Sequence, residues 1–299
     1  MAVYKKTYTR YSGPVTPERT RFLVLPRYLF EEMRQRRFFT VFFLSSLITP
    51  ILFAIFIYLH HNLSALQALK INLNQIVAID ARFFATFLGI QSMIAFLMTA
   101  FFGPGLISPD LANNALPLYL SRPFSRDEYI LGKFSVLAVL LSLMTWVPGL
   151  LLFALQGYLE GGAWLGQNWR IFNGLFFGAW IWIIVVSLLA LSLSAWVKWK
   201  PVAGAMLFGV FFVAAGFGAA INGILRTKWG NLINIGSLIG SVWAWLFEQS
   251  ARAGGPAFFR VRRGTEIPAD SAALVLALFC VFCYWLLHRR IRGAEVVKG

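Results

Sequence analysis

The chain is 299 residues long, with 59% hydrophobic residues, 16% aromatic and only 13% charged, too little polar residue to cover a globule of that size. It therefore reads as a membrane protein. Its formal charge of +15 does not point to nucleic acid, because the basic residues sit in short stretches between apolar runs rather than on one helix face or in a folded polar domain.

Residues 1–37 are polar and basic, unlike the short n-region of a cleavable signal peptide, so the first apolar run is expected to stay as an anchor. Within this stretch Phe22, Leu25, Leu29 and Met33 fall at helical spacing on one face, while Arg27, Glu31, Glu32, Arg34 and Arg36 line the others. That pattern is an amphipathic helix lying in the membrane interface. Its arginines would suit anionic lipid as well as a protein surface.

A spanning helix needs about 20 largely apolar residues, and six stretches qualify: Phe38 to Leu59, Phe83 to Leu106, Phe134 to Gly157, Ile171 to Val197, Pro201 to Leu225, and Pro268 to Leu287. Apart from Asp270 at the mouth of the last, none holds an ionisable residue. Leu232 to Phe247 is a seventh, shorter apolar stretch with Asn234, Ser237 and Ser241, expected to be re-entrant or interfacial within an outer loop over residues 226–268. Cys280 and Cys283 share one face of the last run and predict neither a disulfide nor a metal site. The fold class is thus an all-α integral membrane protein with one six-span domain over residues 38–288 and a basic tail over residues 289–299.

Orientation follows from Lys and Arg near the span ends. With six spans and both termini inside, eighteen of the 27 basic residues fall inside and nine outside. If the seventh stretch also crossed, four residues would be exchanged for four, so charge does not choose between these topologies. Both place the N-terminus and the stretch Ser108 to Lys133 in the cytoplasm.

That stretch is a polar, proline-punctuated elbow. Ser108-Pro109-Asp110 ends the second span and opens a short helix, expected over Pro109 to Leu116, with Ser108 as its cap and Asp110 at the positive end of its dipole. Pro117 and Pro123 push their predecessors toward extended geometry. Ser125 to Glu128, "SRDE", matches a capping box and starts the third span.

The run "LSRPFSRDEYILGK", Leu120 to Lys133, resembles the connector between spans two and three in the membrane subunits of type 2 ABC exporters. So do the six-span layout, the basic amphipathic segment before span one and the long final outer loop. The resemblance implies a permease in a bacterial cytoplasmic membrane with both termini cytoplasmic. It further implies that the elbow is a coupling helix docking on a separate ATP-hydrolysing subunit through Asp110, Asn113, Asn114, Arg122, Arg126, Asp127 and Glu128. The connecting helix, with Arg27, Glu31, Glu32, Arg34 and Arg36, would touch the same partner.

No G-x-x-x-x-G-K-[ST] occurs in the sequence, so ATP and Mg are expected on the partner and no cofactor on this chain. Two permeases and two ATPases would form the working unit, with the permeases identical or paired. "GLFFG", Gly174 to Gly178, and "GSLIG", Gly236 to Gly240, are small-x-x-x-small patterns of the kind that permits close helix approach. A glutamate-type intramembrane protease could be read from "EEMRQR" and "FIYLH", but a continuous helix would separate Glu32 from His60 by roughly 42 Å, on opposite sides of the bilayer. His60 and His61 are instead expected at the interface. An ion-coupled transporter would want carboxylates or histidines at mid-membrane. The span interiors offer only neutral groups, of which Gln91, Ser92 and Asn222 are expected to bridge helices or line a substrate path.

Overall fold

A computed structural model describes residues 24–62, 78–113, 115, 125–197, 199–248, 259 and 267–296, and every regular element among them is a helix. The amphipathic segment forms α1 (Val24–Gln35). Its Leu25, Leu29 and Met33 pack against the core while Arg27, Glu31 and Arg34 stay exposed; Phe22 lies outside the described residues. Arg36 is extended and turns the chain into span 1.

Span 1 consists of α2 (Arg37–Ser46) and α3 (Ile48–His61), interrupted at Leu47. Pro50 explains the break, since it lacks the N–H that would close a helical bond to the Ser46 carbonyl. Gln91 of span 2 supplies the missing donor, its Nε2 lying 3.0 Å from that carbonyl. Span 2 is α4 (Ala81–Phe102), opened by Asp80, whose Oδ1 accepts from the Arg82 and Phe83 amides at 2.9 and 3.1 Å. It ends four residues before Leu106, in a 3-10 turn over Gly103–Gly105 built on Pro104.

After α5 (Ser108–Ala112), span 3 runs through α6 (Arg126–Met144) and α7 (Trp146–Glu160), broken at Thr145. Here Pro148 removes the donor for the Met144 carbonyl. The helix α8 (Gly162–Gln167) follows Gly161, whose φ of 107° suits a residue without a side chain. Span 4 is α9 (Trp169–Trp196), and span 5 is α10 (Lys200–Leu225). A 3-10 turn, Trp229–Leu232, leads into α11 (Ile235–Leu246), and α12 (Ala269–Val296) carries span 6.

Among the described residues six helices are long and apolar enough to cross a membrane. The 12 residues of α11 reach about 18 Å against a hydrocarbon core of about 30 Å. It is too short to cross. Instead it is wedged among spans 4, 5 and 6: Trp243 donates to the Gly178 carbonyl at 2.9 Å, and the Phe247 ring fills the space beside Gly174. Both "GLFFG" glycines therefore pack inside one chain, as does Gly240, which faces the Phe259 carbonyl.

The spans are not equivalent. Within their most apolar stretches, 72, 67 and 67% of spans 2, 3 and 4 is buried, against 11, 22 and 22% of spans 1, 5 and 6. Spans 2 to 4 make the core. Span 1 leans on span 2 through ring contacts such as Phe39 with Phe102 at 5.2 Å and Phe53 with Phe83 at 4.8 Å, and span 5 does so through Phe211 on Phe96 at 4.8 Å.

Candidate coupling site

The short helix α5 is held from two sides, by groups that sequence alone does not bring together. Its N-terminal amides lack partners within a helix of five residues. They are capped from span 4: the Ile107 and Ser108 amides donate to Ser194 Oγ at 3.2 and 3.0 Å, and that hydroxyl donates to the Pro104 carbonyl at 2.8 Å. Ser108 therefore does not cap the helix as expected; it is the first helical residue, with no side-chain cap bond from its predecessor. The helix is also shorter than the expected Pro109 to Leu116, ending at Ala112 with Asn113 as an exposed C-cap.

Asp110 ties α5 to span 3. Its Oδ2 accepts from Tyr129 Oη at 2.7 Å and pairs with Lys133 Nζ at 2.7 Å. The Lys133 side chain is only 2% exposed and Asp110 15%, so this is an ion pair largely withdrawn from water. Lys133 also lies over the Tyr129 ring, 5.4 Å from its centroid, a cation–π contact. Asp110, expected at the ATPase contact, is in this structure the counter-charge of Lys133, because a lysine at this depth needs a carboxylate beside it.

The start of span 3 bears out the local reading. Glu128 N–H donates to Ser125 Oγ at 3.2 Å, and Ser125 N–H donates back to Glu128 Oε2 at 2.6 Å, a complete capping box. Asp127, the residue before Glu128, accepts from Tyr284 Oη of span 6 at 2.7 Å, with His288 Nε2 at 3.9 Å. Spans 4 and 6 are joined nearby: Ser192 Oγ donates to the Cys283 carbonyl at 2.7 Å, and Arg290 donates to the Ala195 carbonyl at 3.3 Å. Glu32 on α1 and Arg36 just past its end form an exposed pair, four residues apart, at 2.6 Å. Asn114, Arg122, Pro117 and Pro123 lie outside the described residues.

Four spans thus meet α5 or its neighbours at one end of the bundle. Asp110, Asp127, Glu128 and the α1 charges are brought to that end; Gln91, Ser92 and Asn222 are not. Gln91 and Ser92 are fully buried, the first bonded to span 1 as described. Asn222 fastens span 5 to the turn before α11, donating to Asn231 Oδ1 at 2.9 Å and accepting from the Gly230 amide at 2.8 Å. Gln91 and Asn222 therefore bridge helices in two separate places, while the buried Ser92 hydroxyl meets no hydrogen-bond partner among the described residues.

Tyr129, Lys133, Ser194 and Tyr284 were not singled out by sequence as a set. One signal for Lys133 was present: a span that starts at the Ser125 capping box puts Lys133 two turns inside it, where a cation calls for a partner. At the opposite end His61 Nε2 meets Glu160 Oε2 at 2.7 Å, joining span 1 to span 3, while Glu32 is paired with Arg36; no protease-like cluster of Glu32 with histidine is assembled. Among the described residues no three His, Cys, Asp or Glu side chains gather as a metal site.

No curated protein matches the chain. A family model does, that of the ABC-2 family transporter protein, over residues 29–290, which takes in the second half of α1, α5, spans 1 to 5 and nearly all of span 6. The chain belongs to the ABC-2 transporter family and is a multi-pass membrane permease subunit of an ABC transporter.

Proposed function

We propose that this permease exports its cargo as a dimer, driven by two copies of a separate ATPase subunit that dock on the end of the bundle carrying α1 and α5. The observation that carries the proposal is the mounting of α5. A helix of five residues is bonded to span 4 through Ser194 and to span 3 through Asp110 and Lys133, so a push on it moves spans rather than a loop. The exposed charges of α1 flank it, and α1 packs directly on span 3.

The second copy is proposed to sit against span 5. Val202, Gly209, Gly216 and Gly223 recur every seven residues along it, and a Cβ added at any of these three glycines would meet nothing within 4 Å. Open glycines in a spanning helix permit a close helix approach. The "GLFFG" and "GSLIG" patterns, in contrast, are already used inside the chain.

In this arrangement the end carrying α1 and α5 faces the cytoplasm. Single cysteines at Ala257 and Ala294, in a Cys280→Ser/Cys283→Ser background, would be probed in intact cells with an impermeant thiol reagent. Labelling at Ala257 only is expected, and labelling at Ala294 only would reverse the assignment. Coupling is tested by co-purification with the cognate ATPase. Charge reversal at Glu31, Arg34 or Arg126 is expected to leave expression intact while weakening ATPase capture and cargo-stimulated turnover. Wild-type capture and turnover in all three variants would remove α1 and the start of span 3 from the docking surface. The purified permease alone is expected neither to bind nor to hydrolyse ATP, having no phosphate-cradling loop.

A further inference from the structure

Beside the coupling site lies a cavity of about 430 Å³ bounded by α1, the start of span 1, the end of span 2, α5, span 3 and the start of span 5. Its lining is divided by chemistry. Phe38, Phe101, Phe102 and Leu106 supply an apolar wall, with Phe38 and Phe101 themselves 57 and 58% exposed and their rings 5.6 Å apart, edge to face. Arg36, Lys133 and Lys200 supply three cations against the carboxylates of Glu32 and Asp110. Each carboxylate is already paired, Glu32 with Arg36 and Asp110 with Lys133. Lys200 has no carboxylate partner among the described residues, and the lining carries one net positive charge.

Depth in the membrane decides what fits such a cavity. Span 1 begins at Arg37, span 2 ends at Phe102 and span 5 begins at Lys200, so three spans terminate around it. The cations therefore sit at headgroup level, and the exposed phenylalanines lie just inside the hydrocarbon. A partner protein would find charge at this mouth but would leave the Phe38–Phe101 wall facing lipid. An amphiphile with an anionic head satisfies both parts.

We propose that this cavity is a binding site for an anionic phospholipid of the leaflet at the α1–α5 end, its phosphodiester held by Lys200 and Arg36 with Lys133 behind them, and one acyl chain laid on Phe38 and Phe101. That the leaflet is the cytoplasmic one rests on the orientation proposed above; the site itself does not depend on the ATPase. The bound lipid would brace α1 against the ends of spans 1, 2 and 5, next to the elbow.

The test uses the full-length permease purified without its ATPase, loaded with phosphatidylglycerol or phosphatidylcholine, delipidated in detergent and weighed intact by native mass spectrometry. One phosphatidylglycerol per chain is expected to survive, and phosphatidylcholine to be lost. Lys200→Gln, at an exposed position, is expected to lower retention about fivefold and Arg36→Gln/Lys200→Gln about thirtyfold, the effect of removing one and two interfacial cations. Arg82→Gln, at the other end of span 2, is expected to change nothing, and glycerol phosphate at equal concentration is expected not to displace the lipid.

Unchanged retention in the double variant would overturn the site. So would an equal loss with Arg82→Gln, which would mean bulk charge attraction, or displacement by glycerol phosphate, which would mean a site for free phosphate. Loss of the lipid when the ATPase subunit is added would assign the cavity to that protein instead. Because the first measurements involve no ATPase, failure of lipid binding leaves the coupling proposal standing, and failure of ATPase capture leaves the lipid site standing.

Discussion

Spans 2, 3 and 4 and spans 1, 5 and 6 are made of similar residues and live in different environments. The first three are mostly enclosed by protein; the second three leave most of their surface outside the chain. In a bilayer apolar residues gain little by meeting one another rather than lipid, so inner and outer positions are separated by packing and hydrogen bonds. The inner spans show both: Ser194 capping α5, Ser192 reaching span 6, and glycines under Phe247 and Trp243. The outer spans show exposed side chains such as Ile51, Val213, Phe217 and Val281, and in span 5 glycines with open space before them. The enclosed spans hold the elbow in place, whereas the outer ones are free to meet lipid or a second copy.

The sharpest way to break this contrast is at the buried pair. Asp110→Asn would strand Lys133 without its counter-charge, which costs about 3–5 kcal/mol when a buried pair loses one member. A large fall in thermal unfolding temperature in detergent is expected, with much of it recovered in Asp110→Asn/Lys133→Met. Wild-type stability in the single variant would show that water reaches this pair and that the elbow is not anchored by it.

Glycine substitutions compare the two regions directly. Gly174→Val would drive a methyl group into the Phe247 ring, an overpacking worth about 1–3 kcal/mol. Gly216→Val places its Cβ where nothing in its own chain lies within 4 Å and should change stability by less than about 0.5 kcal/mol. The same Gly216 variant is expected to lower the yield of cross-linked dimer in membranes. Equal destabilisation by both would erase the distinction between inner and outer faces, and an undiminished dimer would move the interface away from span 5.

Gln91→Leu tests the link between an outer span and an inner one. It removes the donor that replaces the amide absent at Pro50, leaving the Ser46 carbonyl without a partner, at a cost of about 1–2 kcal/mol. Restoring that amide with Pro50→Ala should recover stability in the double variant, read from the same unfolding curves; additive losses would mean that the two residues are not coupled. The smallest expected effect is local. Glu128→Ala opens the capping box at a cost of about 1 kcal/mol, seen as faster amide exchange over residues 126–129. Slowed exchange there would contradict the box.

Much of the fold was legible because bilayer thickness and backbone chemistry act locally. Run length gave six spans and set Leu232 to Phe247 apart as the shorter stretch, but the 12-residue length that keeps α11 from crossing came from the structure; Ser125 and Glu128, three residues apart, carried their capping box in plain sight. The face of α1 formed by Leu25, Leu29 and Met33 followed from helical spacing. Proline gave only part of its meaning: Pro109 announced a helix start, but the cap came from Ser194, more than eighty residues later, where no local pattern pointed to it.

What the sequence by itself determined is therefore the inventory: an all-helical membrane chain, its spans, its elbow and the start of its third span, since each depends on contacts within a turn or two or on a length set by the bilayer. Tertiary structure decided the assignments. All six spans are apolar enough to face lipid, so composition does not say which three are enclosed; "GLFFG" and the glycines of span 5 look equally ready for a partner, and only packing shows which are occupied. Asp110 with Lys133, Asp127 with Tyr284, and Gln91 with the Ser46 carbonyl are bonds between residues distant in sequence, and their energy exists only once the helices have met.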